Sequence, residues 1–271
     1  DFFDSLQQNA VETYCSTEYL SILQSAEIRL GEVISYKDDG LPLVDVVFSL
    51  GGDGTLLHVV TQVGSKEIPI VGVNLGRLGF LATTAPEDLT KALDAVISGA
   101  YTVDDRVLLR LESDEGVFGE LNFALNDFAI MKKDTSSMIV VKAYVDGAFL
   151  NAYWSDGLII STPTGSTGYS LSCGGPLVLP HSNNFIVTPV SPHNLSVRPL
   201  VLADNSVITF EIDSRSENVL LSLDSRSETV SSSIKLTVSK ESFRARLVKF
   251  KGDGTFDTLR MKLNWGLDAR N

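Results

Sequence analysis

The residues best suited to chemistry form the segment Gly51-Gly52-Asp53-Gly54-Thr55, which follows an apolar run at 44–50. Glycines let the chain turn tightly and let a phosphate approach the backbone, and a helix beginning at about Thr55 would offer N–H groups to an anion. A carboxylate beside phosphates is unfavourable unless it binds a metal ion or removes a proton from an attacking hydroxyl. Both roles belong to phosphoryl transfer. A plain turn in which Asp53 caps the helix would have the same sequence.

Two later polar segments could belong to the same site. Leu125-Asn126-Asp127 places an amide next to a carboxylate, and residues 161–172 combine hydroxyl side chains, glycines and a proline. A helix expected to begin near Ser166 or Thr167 could hold a base or a diphosphate with its first N–H groups and hydroxyls. In isolation, the first segment also fits a polar strand end, and the second also fits a capped helix after a loop.

The first 100 residues predict an α/β domain that would position the first segment. Apolar runs at 44–50 and 69–73 are each followed by a glycine-rich loop. Helical spacing comes after each loop, and the second helical pattern begins at Pro86 and ends at Gly99. This order of strand, loop and helix predicts a doubly wound, Rossmann-like α/β domain over residues 1–100.

The pattern changes after residue 100 to strand-like runs separated by short polar turns. We therefore expect an all-β, antiparallel domain over residues 101–255, which would carry the two later polar segments. Residues 256–271 have helical spacing again, and we expect this C-terminal helix to return and pack on the first domain.

Composition limits the class of protein. The net charge of −12, with only 22 basic residues, disfavours a nucleic-acid partner. No run approaches the roughly 18 to 20 consecutive apolar residues of a membrane helix, and the first ten residues lack the features of a signal peptide. Two cysteines are too few for a disulfide framework. We expect a cytoplasmic protein without a membrane partner. Its anionic substrates would be bound by backbone N–H groups, one or two basic side chains and a divalent cation at the site, rather than by a broad positive surface.

Four segments, in this order, resemble the NAD kinase family: GGDGTLL, NLGRLGFLA, LND and DGLIISTPTGSTGYSLSCGGP, at 51–57, 74–82, 125–127 and 156–176. The resemblance implies phosphorylation of the 2′-hydroxyl of the adenosine ribose of NAD, giving NADP. It implies ATP as the donor, with polyphosphate as an alternative. It also implies a divalent cation, with Mg²⁺ as the first choice, held mainly by the donor phosphates. The oligomer that the resemblance implies is a homodimer or a homotetramer.

The same resemblance assigns roles to individual residues of this chain. Asp53 would be the catalytic base that takes the proton of the ribose hydroxyl. Phosphates would be bound by five residues, Gly51, Gly52, Gly54, Thr55 and His58. The residues expected to bind NAD are Gly54, Phe80, Asn126, Asp127, Asp156, Thr164, Thr167, Gly168, Tyr169 and Ser172. Asp156 matches a position that can reach the site of a neighbouring subunit, and no side chain is expected to ligate the metal.

The chain departs from the family pattern at two of these positions and at one further position. Gly168 stands where relatives usually have Ala, and Asp127 replaces the commoner Glu, which is one methylene longer. Ser225 follows Asp224 where Gly is expected, so a ligand contact of Asp224 is in doubt.

Other functions compete with this interpretation. Lipid kinases of the diacylglycerol or sphingosine type share the GGDG loop and the α/β-plus-β layout, but they need an apolar cleft that the polar 161–172 segment does not favour. A NAD-binding sensor without turnover is a second alternative, although pure binding gains nothing from a carboxylate at 53. Neither the P-loop motif nor the G-x-G-x-x-G fingerprint occurs in the sequence.

Overall fold

The structure is a computed structural model, and it describes residues 2–37, 40–76, 79–133, 138–252 and 254–263. The chain forms two compact units, the first comprising residues 1–104 and 246–271 and the second residues 105–245. Before residue 100 the helices and strands are α1 (Phe2–Gln8), β1 (Tyr14–Ser16), α2 (Thr17–Ser25), β2 (Ile34–Tyr36), β3 (Val47–Gly51), α3 (Asp53–Val63), β4 (Ile70–Asn74) and α4 (Leu89–Ile97).

The remaining strands and helices follow in chain order. They are β5 (Thr102–Ser113), β6 (Phe123–Ala124), β7 (Asp127–Lys132), β8 (Ile139–Val145), β9 (Ala148–Ser155), β10 (Gly157–Ser161), α5 (Tyr169–Ser172), β11 (Asn184–Val190), β12 (Leu200–Ala203), β13 (Ile208–Ser214), β14 (Asn218–Leu223), β15 (Arg226–Ser231), β16 (Leu236–Lys249) and α6 (Thr255–Leu263).

The first unit is built on a parallel pair of strands joined through a helix. β3 and β4 pair from Val47 opposite Ile70 to Gly51 opposite Asn74, and α3 connects them. On its other side β4 pairs in parallel with the end of β16 at Leu247. Every residue of β4 is buried, which explains its continuous apolar sequence. Because parallel strands end at the same edge, the turns after Gly51 and Asn74 lie side by side.

The second unit contains two antiparallel layers of strands around one core. One layer has the order β12-β11-β10-β7-β14-β15, and the other contains β16-β13-β8-β9. Alternate residues of both layers, such as Phe128, Ile160, Val141 and Phe210, meet in a single buried cluster. The opposite face of β10 carries Ile159, whose cluster includes Cys173 at the end of α5. The six-stranded layer is therefore covered on both faces at this point.

The expected class, an α/β region followed by a β-rich region with a final helix, is confirmed. In α6 the side chain of Leu259 is buried in the first unit, while residues 264–271 of the expected C-terminal helix lie outside the described residues. Five strands were not anticipated from the sequence, β1, β2, β9, β12 and β15. Within the described ranges, no helix is both long and apolar enough to cross a membrane.

Candidate active site

The GGDGT segment forms a sharp strand-to-helix turn in the first unit. Gly51 is the last residue of β3, Gly52 is the N-cap, and α3 begins at Asp53, two residues before the expected start. The carbonyl of Gly51 accepts a hydrogen bond from the N–H of Leu75 at 3.1 Å, which ties the turn to the loop after β4. The parallel register of β3 and β4 therefore brings two glycine-containing loops together.

The carboxylate of Asp53 is held by backbone groups of that neighbouring loop. Its Oδ2 accepts the N–H of Phe80 at 2.8 Å, and its Oδ1 accepts the N–H groups of Leu81 and Ala82 at 3.1 and 3.0 Å. Gly79 allows this approach, because a Cβ there would overlap the carboxylate. Three donors on two oxygens fix the direction of the side chain, which is half-buried.

The start of α3 leaves an open surface at its glycines. A Cβ added at Gly52 or Gly54 would meet no atom of the protein within 4 Å, and neither residue has a positive φ. Both are exposed, as is Thr55. Since neither packing nor backbone conformation requires glycine here, the missing side chains keep the first N–H groups of the helix accessible. This surface can accept an anion.

Two further residues predicted to lie at this site have neighbours within the first unit. His58 is exposed one helical turn after Thr55, and its Nε2 lies 3.1 Å from Nε2 of Gln62. The ring of Phe80 is partly buried, with Nζ of Lys262 in α6 at 5.5 Å from its centroid. Arg77 and Leu78, in the middle of the NLGRLGF motif, lie outside the described residues.

In the second unit, strand pairing collects the other polar segments at one end of the six-stranded layer. Asp127 begins β7 and is paired with Ser161 at the end of β10, while Phe128 is paired with Leu223 at the end of β14. Since both neighbours are antiparallel to β7, their ends meet its start. Asn126, the 161–168 segment and Asp224 therefore converge at this end.

The 162–168 segment packs directly on the backbone of Asn126. The N–H of Thr162 donates to the carbonyl of Asn126 at 2.9 Å, and its Oγ1 donates to the carbonyl of Leu125 at 2.5 Å. A Cβ at Gly165 would overlap the carbonyl of Asn126. A 3₁₀ turn over Thr164–Thr167 comes first, and α5 starts only at Tyr169. The helix thus begins later than expected.

Other predicted residues of this segment have mixed surroundings. Thr164 is buried, and its Oγ1 accepts a hydrogen bond from the buried guanidinium of Arg106 at 3.2 Å. Oγ1 of Thr167 donates to the carbonyl of Thr164 at 3.2 Å. Ser172, at the end of α5, is exposed. Arg106 and Thr162 were not anticipated from the sequence.

Asp127 is a buried carboxyl group in this cluster. Burial raises its pKa to about 7, the negative charge of Asp224 adds to the rise, and the N–H of Tyr169 opposes it by donating to the carboxylate. Gly168 is adjacent, since a Cβ there would lie 3.6 Å from Oδ2 of Asp127. A carboxylate in this position can accept hydrogen bonds from ligand hydroxyls, and burial strengthens such contacts.

Asp156 lies at the opposite end of β10 from this cluster. Its Oδ1 is 2.7 Å from Nζ of Lys132, and the backbone N–H of Lys132 donates to its carbonyl at 2.9 Å. Ser161 follows Asp156 by five steps of extended chain, or roughly 17 Å. Tyr169 extends along this direction, because its N–H reaches Asp127 while its hydroxyl is 3.9 Å from Sδ of Met131.

The sequence left the role of Asp224 in doubt, and the structure gives it clear contacts. Its carboxylate accepts N–H groups from Leu125, Asn126 and Asp127 at 2.9, 2.8 and 3.2 Å. Arg226, two residues later, donates to the carbonyls of Leu121 and Phe123. Both side chains therefore form their hydrogen bonds with groups of the protein backbone.

A protein-built metal cage is not found in the described part of the chain. No three His, Cys, Asp or Glu side chains there are grouped closely enough to hold a metal ion. Asp53, the acidic residue nearest the open helix start, already accepts three N–H groups.

Comparison with known proteins identifies the family. Residues 31–101 match the family model of the ATP-NAD kinase N-terminal domain, and residues 125–250 match that of the ATP-NAD kinase C-terminal domain. The chain is 54% identical over 270 residues to a NAD kinase of Cytophaga hutchinsonii, covering 98% of this chain and 92% of that protein. It is 47% identical over 269 residues to a NAD kinase of Bacteroides fragilis, covering 99% and 92%.

Solved structures agree with these matches. A yeast NADH kinase in complex with NADH has a TM-score of 0.88 at 25% identity, covering 98% of this chain and 83% of the yeast chain. A NAD kinase from Archaeoglobus fulgidus in complex with ATP has a TM-score of 0.74 at 28% identity, covering 93% and 97%. From both family models and the high identity over nearly the full length, the chain belongs to the NAD kinase family.

Proposed function

We propose that this NAD kinase transfers the terminal phosphoryl group of ATP to the 2′-hydroxyl of the adenosine ribose, with Asp53 accepting the proton of that hydroxyl. As a NAD kinase, the chain is an enzyme that phosphorylates NAD, and the comparisons give no support to the lipid kinase alternative.

The observation that carries the proposal is the fixed carboxylate of Asp53 beside an open helix start. The N–H groups of the exposed residues Gly52 and Gly54 suit donor phosphates, and Thr55 adds a hydroxyl. Asp53 is prevented from rotating by its three backbone donors. Because positioning and electrostatics do most of the work in phosphoryl transfer, a pre-oriented proton acceptor fits that chemistry better than simple binding.

Most of the proposed NAD contacts are residues of the second unit, and Gly54 and Phe80 are residues of the first. Asn126 and Asp127 would hold hydroxyls of a ribose, since an amide and a carboxylate together offer donors and acceptors. Hydroxyl groups of Thr164 and Thr167 would contact the adenosine, with Gly168, Tyr169 and Ser172 beside them. Phe80, in the first unit, would stack on the adenine. Asp156 would contact an extended dinucleotide, because Tyr169 lies along the line from Asp127 towards it.

The donor phosphates need positive charge, which a chain of net charge −12 does not supply broadly. The Archaeoglobus fulgidus relative was solved in complex with ATP, and we propose ATP as the donor here. A divalent cation, with Mg²⁺ as the first choice, would be held through those phosphates, where it would neutralise their charge. His58 would lie near the phosphates from the second turn of α3.

Two further expectations stay predictions. The chain is expected to act as a homodimer or homotetramer and to be cytoplasmic, the latter from its two cysteines, which are both free. The yeast relative was solved with NADH, so NADH belongs beside NAD in any substrate test.

The decisive experiment follows NADP formation with ATP and with polyphosphate, and measures NAD binding separately. We expect Asp53→Asn to keep the dissociation constant for NAD within a few-fold while kcat falls about 10²-fold or more. Asp45→Asn, at an exposed aspartate just before β3, is the matched control and should keep both values. Turnover that survives in Asp53→Asn would remove Asp53 as the base. NAD binding without NADP formation by the unmodified chain would support a sensor instead.

A further inference from the structure

The structure assigns a positioning role to the β14–β15 turn: we propose that Asp224 and Arg226 fix the backbone of residues 121–127 and thereby aim Asn126 and Asp127 at NAD. This inference rests on the proposed function, because it concerns the segment proposed to hold the ribose. Neither residue would itself touch the substrate.

Asp224 serves as a single acceptor for three consecutive N–H groups. The donors are Leu125, Asn126 and Asp127, and the distances are 2.9, 2.8 and 3.2 Å. In return, the N–H of Asp224 donates to the carbonyl of Asp127 at 2.9 Å. A carboxylate that gathers successive backbone N–H groups forces them to point the same way. The side chains of Asn126 and Asp127 therefore take their direction from Asp224.

The turn itself is suited to this task. Asp224 has φ of 53°, in the left-handed region that Asp and Asn enter more readily than other residues with a Cβ. Oγ of Ser222 donates to the carbonyl of Asp224 at 3.2 Å, and the flanking strands pair up to Leu223 opposite Arg226. The carboxylate is thus presented from a rigid hairpin end.

Arg226 holds the same segment through its carbonyl groups. Its guanidinium donates to the carbonyls of Leu121 and Phe123 and lies 5.9 Å from the ring centroids of Phe118 and Phe123. The segment is therefore held by an acceptor for its N–H groups and a donor for its carbonyls. Both come from one turn, so the arrangement acts as a bracket on residues 121–127.

The bracket also sets the charge around Asp127. The titratable groups that face Asp127 are Asp224, from the β14–β15 turn, and Tyr169 and Cys173, from α5. Burial, and next the charge of Asp224, raise the pKa of Asp127. If the ionised carboxylate binds the ribose hydroxyls, NAD affinity should fall at acidic pH, and the midpoint of that fall should depend on Asp224.

The test compares Asp224→Asn with the unmodified enzyme, by steady-state kinetics and by calorimetric titration with NAD from about pH 5.5 to about pH 8.5. Asn keeps the left-handed turn and one acceptor oxygen but loses the charge and part of the acceptor capacity. We expect KM for NAD to rise about tenfold while kcat changes less than about threefold. The midpoint of NAD binding should shift to lower pH, because Asp127 loses a neighbouring negative charge.

Asp146→Asn is a control at a second aspartate in a strand–strand turn. Asp146 also has a positive φ, 51°, and its carboxylate also accepts one backbone N–H, that of Val207, at 2.9 Å. It lies in the β8–β9 turn rather than beside Asn126. Because Asp146 is exposed and accepts one N–H group where Asp224 accepts three, we expect this variant to lose less stability and to keep both KM for NAD and the pH midpoint.

Further variants keep the outcome decisive. If Asp224→Asn fails to fold, Arg226→Lys replaces it, because Lys keeps the charge but lacks the planar fork. We expect Arg226→Lys to raise KM for NAD without moving the pH midpoint. Asn126→Ala tests the proposed function itself. An unchanged KM in Asn126→Ala would refute the NAD role of the segment. The remaining outcome is that Asn126→Ala raises KM for NAD while the folded bracket variant keeps both its KM for NAD and its pH midpoint of NAD binding. That result would overturn the positioning role but would leave the proposed function intact.

Discussion

The backbone of Gly79 lies against the carboxylate of Asp53 so closely that a Cβ at position 79 would overlap both carboxylate oxygens. Beyond that glycine, the N–H groups of Phe80, Leu81 and Ala82 bind the same carboxylate. Residues 79–82, at the end of the NLGRLGFLA motif, therefore surround the Asp53 carboxylate, which relates two motifs that are separate in the sequence.

The first prediction concerns Gly79→Ala. The new methyl group must push the Asp53 carboxylate or the following loop away, so we expect kcat to fall at least about tenfold. Affinity for NAD should change only a few-fold. Gly76→Ala is the control, because a Cβ there meets no atom within 4 Å and its φ is not positive. Steady-state kinetics and circular dichroism would check both variants. Normal turnover in Gly79→Ala would mean that the carboxylate need not occupy this position.

The second prediction separates stability from phosphate binding at Gly54. This residue lies in the first turn of α3 with open space beside it, so Ala should raise the free energy of unfolding by about 0.5 kcal/mol through its helix propensity. The same methyl group would obstruct an anion at the helix start, and we expect KM for ATP to rise about tenfold. Urea unfolding and steady-state kinetics measure the two effects. A variant that is more stable and keeps its KM would contradict phosphate binding at this surface.

The third prediction compares two glycines of the 162–168 segment. Gly165→Ala would overlap the carbonyl of Asn126, and we expect a loss of about 1–3 kcal/mol in unfolding free energy together with a higher KM for NAD. In Gly168→Ala the nearest atom, the carbonyl oxygen of Gly165, is at 3.2 Å. A small adjustment accommodates that contact, so stability and KM should change little. Equal behaviour of the two variants in denaturation and kinetics would contradict this packing.

The fourth prediction uses the raised pKa of Asp127. Its folded-state pKa of about 7 exceeds the ordinary value of 3.8, so the folded state binds more protons than the unfolded state between these pH values. Stability from this group is therefore present at acidic pH and lost as the pH rises through the window, by up to about 1.4 kcal/mol per unit. Asp127→Asn should remove that dependence and become relatively more stable towards neutral pH.

Urea unfolding at several pH values measures this difference. The pKa of Asp224 is also raised, chiefly by burial, so Asp224 makes the stability of both proteins fall as the pH rises. This contribution cancels only in part when Asp127→Asn is compared with the unmodified enzyme. Asp213→Asn, at an exposed position on β13, is the control and should leave the difference from the unmodified enzyme constant. Parallel stability curves for the unmodified enzyme and Asp127→Asn would show that Asp127 titrates near its ordinary pKa.

Local signals in the sequence predicted the turn that carries Asp53. The apolar run at 44–50, two glycines and a helical pattern lie within about twenty residues, and β3 and α3 form there. The sequence did not predict β9 or β15. Both are edge strands of their layers, with many exposed side chains, so they lack the apolar alternation that marks a strand.

The amino-acid sequence alone determined the family, the order of its α/β and β-rich regions, and the residue types of the proposed site, because these follow from motifs and short-range patterns. Tertiary structure decided which groups surround them. Asp53 is bound by N–H groups 27 to 29 residues away, and Asp224 binds N–H groups 97 to 99 residues away. The raised pKa of Asp127 likewise depends on burial and on Asp224. Strand pairing creates these contacts, and no local pattern encodes them.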